Sequence, residues 1–325
     1  MKKEYVFQSL FAERIRAFMA FKIATGFKKC TYFKYMKFFD IWCLRYYPQE
    51  EILTEEMVMK YSRRRACEQP VSQKCRVGKL RMLAEFIVRT TGRGCLVPHG
   101  ICEKADRNLP YILTEEERRK FFSAADSYPQ SSVSPNKHIV IPVMLRLSLC
   151  CGLRPQELRH IKLEDISFRS GTIIIRASKN RKDRKIVMND DLCLMLMKYT
   201  ALMTIRQPYS TYLFERPEGG PYRCRWWGQC VKEIAGIAGL MPHGETTMRA
   251  YDLRHNYATS MIMKWKHEGR DIDNCLVYMS EYMGHSKLEH TVYYITLIPE
   301  MFQEWQQMEW ADMDLIPEPE EDFWS

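Results

Sequence analysis

Between Cys102 and Pro110 the chain reads Cys-Glu-Lys-Ala-Asp-Arg-Asn-Leu-Pro, a polar run that ends in proline and carries no apolar periodicity. Such a run has nothing to bury, so it reads as a linker over residues 103–110. It splits the 325 residues into two bodies, 1–102 and 111–298, followed by a C-terminal extension, 299–325. A chain of this length suits two domains better than one. An apolar fraction of 46% can fill two cores.

The first body reads as helical throughout. Ser9 to Ala24 places Leu10, Phe11, Ile15, Phe18 and Met19 at helical spacing before Gly26 interrupts it, and Tyr32 to Tyr46 forms a second, aromatic-rich segment. Thr54 stands as the N-cap of a third, and Gln73 to Arg89 reads as a fourth with Val77, Leu80, Leu83, Ala84, Phe86 and Ile87 as its apolar set. Lys74, Arg76, Lys79 and Arg81 are expected to project from the rest of that helix, close to Arg63-Arg64-Arg65. Any one of them alone is a solvated charge. As a group on short helices they suit phosphate contacts, which give affinity without sequence information.

Charge points the same way. The segment from Glu300 to Ser325 holds nine acidic residues and no Lys or Arg, leaving residues 1–299 with 49 cations, 31 anions and a net +18. A basic body with an acidic tail implies a polyanionic partner, most simply double-stranded DNA. The twelve cysteines include no C-x-x-C pair and no Cys/His cluster of zinc spacing, so they are expected to be reduced core residues of a cytoplasmic protein. No metal site is expected. Ile139 to Leu153, the longest apolar stretch, is interrupted by Arg146 and is too short to span a bilayer.

The second body opens with Thr114 as cap and Glu115-Glu116-Glu117 as an acidic first turn. In Leu147-Ser148-Leu149-Cys150-Cys151-Gly152-Leu153-Arg154-Pro155-Gln156-Glu157-Leu158 one helix ends at Gly152 and another begins at Pro155. Arg154 is thereby placed at a helix N-terminus, where backbone N–H groups favour an anion. Gly171 to Arg176 and Lys185 to Met188 are β-branched runs flanking a cationic tip, Ala177 to Arg184, and read as a β-hairpin. The expected fold is mainly α with a small β-hairpin in the second body.

Two further stretches carry the functional argument: Tyr251-Asp252-Leu253-Arg254-His255-Asn256, and Met283-Gly284-His285-Ser286-Lys287-Leu288 with Thr291-Val292-Tyr293-Tyr294 following. Together they resemble the C-terminal half of a tyrosine recombinase (phage integrase family) catalytic domain, in which H-x-L-R-H precedes L-G-H-S and the nucleophilic tyrosine lies nine residues past the second histidine. That spacing selects Tyr294 over Tyr293. The stretch around Arg154 resembles the family's T-G-L-R-x-x-E-L box, with Glu157 as its acidic residue. Aligning the hairpin on G-K-G-x-K-x-R selects Lys179, with Lys182 as its rival and Arg184 as a further DNA contact. The first body looks like the family's core-binding domain, giving the two-domain architecture of Xer- or Cre-like members.

The resemblance implies a chemistry. Arg154 and Arg254 grip the scissile phosphate through charge-assisted bonds that strengthen as charge develops. Tyr294 attacks to give a 3′-phosphotyrosyl link and Lys179 protonates the leaving 5′ oxygen, without cofactor. His285 bonds the phosphate or positions the nucleophile, while His255 braces the site or packs in the core. Tyrosine titrates near 10, so its ionisation at pH 7 asks the site for about 4 kcal/mol. Tyr251 departs from the family, which has histidine or sometimes lysine there; a phenol can donate a hydrogen bond but cannot act as a neutral-pH base. The implied activity is site-specific recombination through a Holliday junction, by a homo-tetramer on DNA or with a related recombinase. The alternatives are an inactive DNA-binding regulator and a type IB topoisomerase-like nicking-closing enzyme. In the extension, Met301, Phe302, Trp305 and Met308 form a stripe that needs burial. Its own domain is the default partner, and the resemblance implies docking on a neighbouring subunit.

Overall fold

Helices dominate both halves of the chain, as their apolar periodicity predicts. The computed structural model describes residues 5–103, 109–176, 183–240, 242 and 247–298, and the chain divides into two compact units, Met1–Arg107 and Asn108–Ser325. The extension 299–325 and most of the expected linker lie outside the described residues.

The first unit packs α1 (Ala12–Ala24), α2 (Lys29–Tyr46), α3 (Glu55–Ser62) and α4 (Pro70–Thr91) around one apolar core that includes Phe11, Ile15, Phe18, Met36, Phe39, Val58 and Leu80. Thr54 caps α3 by accepting from the Met57 amide, and α4 stops at Gly92, whose φ of 69° suits glycine. A fully buried carboxylate, Asp40, accepts from the Tyr5 hydroxyl and from the amides of Gln8 and Ser9, which ties the N-terminal segment to α2.

The basic face of α4 is smaller than expected. Arg76 does not project: it is 3% exposed, pairs with Glu68 at 2.5 Å, and donates to the carbonyls of Tyr61 and Arg63. It falls on the inward stripe with Gln73, Leu80, Leu83 and Ile87, and a charge there needs a carboxylate partner. Arg81 is half-buried and donates to the carbonyls of Val97 and Pro98. Lys79 lies 4.5 Å from the centre of the Tyr32 ring. Lys74 is exposed.

In the second unit the helices are α5 (Glu115–Asp126), α6 (Lys137–Cys151), α7 (Pro155–Arg159), α8 (Asp190–Arg206), α9 (Cys224–Ile237), α10 (Asp252–His267), α11 (Ile272–Met283) and α12 (Glu289–Val292). Thr114 and Glu117 form a reciprocal capping box at α5. The sheet is β1 (Ile166–Ser167), β2 (Thr172–Ile175) and β3 (Arg184–Val187), antiparallel in that order, with Ile173 opposite Ile186 and Ile175 opposite Arg184. The expected hairpin is therefore present and gains a short third strand. Its tip, residues 177–182, lies outside the described residues, and Lys179 and Lys182 with it.

Helix α6 is the centre of this unit, with Val140, Ile141, Met144, Leu145 and Leu147 fully buried, and α10 packs along it. Asn256 of α10 is buried, accepts from the Leu113 amide and donates to the Tyr111 carbonyl, fixing the entry of the chain into α5. A smaller cluster of Ile262, Leu276, Met279, Met283, Tyr294 and Ile295 joins α10, α11 and α12. Cysteines depart from expectation: Cys43, Cys151 and Cys230 are buried, but Cys30, Cys67, Cys75, Cys150 and Cys224 are exposed. Among the described residues, no helix is long and apolar enough to cross a membrane.

Candidate active site

The carbonyl end of α11 is where the site is built. The last C=O groups of a helix have no partner within it and carry partial negative charge. Here three in succession each receive an arginine: Tyr282 O takes Arg184 Nε at 2.8 Å, Met283 O takes Arg254 Nη2 at 2.7 Å, and Gly284 O takes Arg154 Nη2 at 2.7 Å. Gly284 ends the helix at φ 65°, so the chain turns back at once and delivers His285 beside the same guanidiniums.

Arg154 reaches this point from the start of α7. Its side chain is 13% exposed and pairs with Glu157 at 2.7 Å. The helix N-terminus is not left open for an outside anion, because the Glu157 carboxylate accepts the Arg154 amide at 3.0 Å. Arg184 grips the same carboxylate with both Nη atoms, at 2.9 and 2.7 Å. Burial opposes the charge on Glu157, yet Arg184 and Arg154 outweigh it and hold the carboxyl at about 2. Arg184 thus departs from its expected role on DNA: its side chain is 10% exposed and both ends of its guanidinium are occupied.

Arg254 lies in the first turn of α10 and is wholly buried. Its partners are neutral: Gly152 O and Met283 O, each at 2.7 Å, and His285 Nε2 at 2.9 Å. Its Nε finds no acceptor. Gly152 makes this geometry possible. It closes α6 at φ 58°, and a Cβ there would meet the Tyr257 ring at 2.3 Å.

Tyr294 is 2% exposed, with its ring nearly parallel to that of His285 at 6.0 Å and edge-on to His255 at 5.5 Å. Burial raises its pKa and the Arg254 charge pulls the other way, with burial prevailing. His285 is lowered to about 3, first by burial and then by Arg254 and Arg154; His255 is lowered to about 4, chiefly by burial. Tyr251, 44% exposed, lies against His255 at 5.3 Å between ring centres. Tyr293 is half-buried and meets His255 at 6.2 Å.

The structure therefore brings together Arg154, Glu157, Arg254, His255, His285 and Tyr294, with Tyr251 at the rim. Sequence reasoning missed the three carbonyls, the Gly152 carbonyl and the inward role of Arg184. It also missed Thr291, whose Oγ1 lies 2.7 Å from His285 Nδ1. A glycine following an apolar helical run was the available signal for Gly152 and Gly284; nothing local announces the others.

Known proteins share this arrangement of segments. The chain is 26% identical over 264 residues to the protein named "Putative integrase/recombinase y4rB" of Sinorhizobium fredii, a match covering 78% of this chain and 82% of that one. It is 29% identical over 196 residues to tyrosine recombinase XerA of Pyrococcus horikoshii, spanning 59% of this chain and 58% of that relative. Among solved structures, XerH site-specific recombinase bound to difH substrate in a pre-cleavage complex has the same fold, with a TM-score of 0.68 at 17% identity over 90% of this chain and 95% of that one. Residues 112–300, more than half the chain, match the model of one family, and the chain belongs to it: the phage integrase family.

Proposed function

We propose that the protein is a site-specific DNA recombinase, cutting and rejoining duplex DNA through a phosphotyrosyl link at Tyr294 and a Holliday junction. The observation that carries this reading is Arg254, a buried guanidinium bonded only to neutral acceptors, with a free Nε and a phenol alongside. A buried charge without a counter-ion is costly. A phosphate supplies the missing anion.

In the reaction Tyr294 Oη attacks phosphorus in line, the bond to the 5′ oxygen breaks, and Lys179 gives that oxygen its proton. Arg154 and Arg254 take the non-bridging oxygens, where their bonds strengthen as charge builds in the transition state. The 3′-phosphotyrosyl ester keeps the bond energy, so a 5′ hydroxyl from a second duplex can reverse the step. Tyr251 at the rim suits a hydrogen bond to a phosphate oxygen. Exchange between two duplexes needs four strand cleavages, which supports a tetramer on DNA. With Arg254 and Tyr294 sealed from solvent, DNA must displace the segment carrying Tyr294 to reach them.

Incubation with a nicked duplex bearing the protein's site, in EDTA, tests this reading. The expected result is an SDS-stable adduct in wild type, none in Tyr294→Phe, and joined strands when a second duplex is added. Relaxation without joining supports a topoisomerase, and binding without any adduct supports a regulator.

A further inference from the structure

His285 has a partner on each ring nitrogen, and the first fixes the second. A guanidinium nitrogen carries only hydrogens, so Arg254 Nη2 donates and His285 Nε2, at 2.9 Å, presents its lone pair. A neutral imidazole then keeps its one proton on Nδ1, which donates to Thr291 Oγ1 at 2.7 Å. Thr291 is wholly buried in α12, and its amide is bonded to Leu288 O at 2.7 Å, so the acceptor is held in place.

We propose that Thr291 is a positioning residue of the cleavage site: by accepting the Nδ1 proton it locks His285 in the Nδ1–H tautomer and turns the Nε2 lone pair toward Arg254 and Tyr294. A ring held this way accepts a proton at Nε2 and cannot donate from that atom to a phosphate. When Arg254 Nη2 turns to a phosphate oxygen, Nε2 is released. The proton leaving Tyr294 Oη passes to Nε2 as the oxygen–phosphorus bond forms and the bond to the 5′ oxygen breaks. Tyr251, which stands at the position of the family's first histidine, cannot take that proton, so fixing His285 as an acceptor matters more in this chain. The effect on cleavage rests on the recombinase reading; the tautomer does not.

The test uses full-length protein labelled with 15N-histidine, with His285 identified by its loss in His285→Asn. Two-bond nitrogen–proton spectra separate the tautomers. Wild type and Thr291→Ser are expected to show Nδ1–H. Thr291→Val should lose that form and make adduct about tenfold more slowly on the same nicked duplex, with duplex affinity retained. An Nε2–H signature in wild type overturns the proposal, as does a Thr291→Val protein with unchanged tautomer and rate. Should Thr291→Val fail to fold, the wild-type and serine spectra decide. A wild type with the Nδ1–H form and no adduct overturns the recombinase reading, and with it the part of Thr291 in cleavage.

Discussion

Glu157 holds two guanidiniums at once, Arg154 at 2.7 Å and Arg184 at 2.9 and 2.7 Å, with its side chain 6% exposed. Removing its charge leaves two buried cations facing each other. Glu157→Gln should therefore cost about 3–5 kcal/mol in urea denaturation and slow adduct formation more than it weakens duplex binding. A pH effect accompanies it. The folded-state pKa of Glu157 is depressed to about 2 from an ordinary 4.5, so its contribution is present above about 4.5 and is lost as pH falls toward 2. The loss amounts to about 3 kcal/mol. His255 and His285 act in the same direction at higher pH: held neutral down to about 4 and 3, they let the unfolded chain take up protons that the folded chain refuses. Stability should begin to fall below about pH 6.5, and His255→Asn should weaken that first decline; urea midpoints from pH 7 to 4 check both. The motif residues Arg154, Glu157, Arg254, His285 and Tyr294 were legible because each pair sits at a short, fixed spacing. Arg184 was not, because its carboxylate partner lies 27 residues earlier in the chain and pairs through the tertiary fold. Arg76 could have been read inward from its place in the 73, 76, 80, 83 stripe.

Two helix ends decide whether the arginines converge. The α11 terminus supplies carbonyls 282–284, and the α6 terminus supplies Gly152 O to Arg254. Gly152→Ala adds both a left-handed strain and a clash with Tyr257. It should destabilise the protein by about 2–4 kcal/mol. Adding Tyr257→Ala should relieve the clash and leave the strain, a non-additivity that a double-mutant cycle measures. Caps and breaks made these elements readable in advance: Thr54 and Thr114 at starts, Pro155 at a first turn, Gly92 and Gly152 at ends. The two-residue strand β1 was not readable, since it exists only by pairing with β2. The start of α4 at Pro70, three residues before the apolar pattern sets in, was missed for want of periodicity.

At the scale of the molecule, residues 1–299 carry a net +18, and binding to duplex of arbitrary sequence should be dominated by released counter-ions. For roughly six to ten phosphate contacts, affinity should fall by about 10³–10⁵ between 50 and 200 mM salt. A fall of less than about tenfold would rule out an extended phosphate footprint. This basic charge was plain in the composition, whereas the sealed pocket was not: Arg254 at 0% and Tyr294 at 2% exposure are products of packing among α10, α11 and α12. The account stands on one phenol reaching one phosphorus atom beside two arginines. The direct measurement is to trap the wild-type protein on nicked duplex in EDTA, digest the adduct, and locate the modified residue by mass spectrometry. DNA phosphate on Tyr294, with none in Arg254→Ala, is the predicted result; attachment to Tyr293 or any other residue, or no adduct from folded wild type, would contradict it.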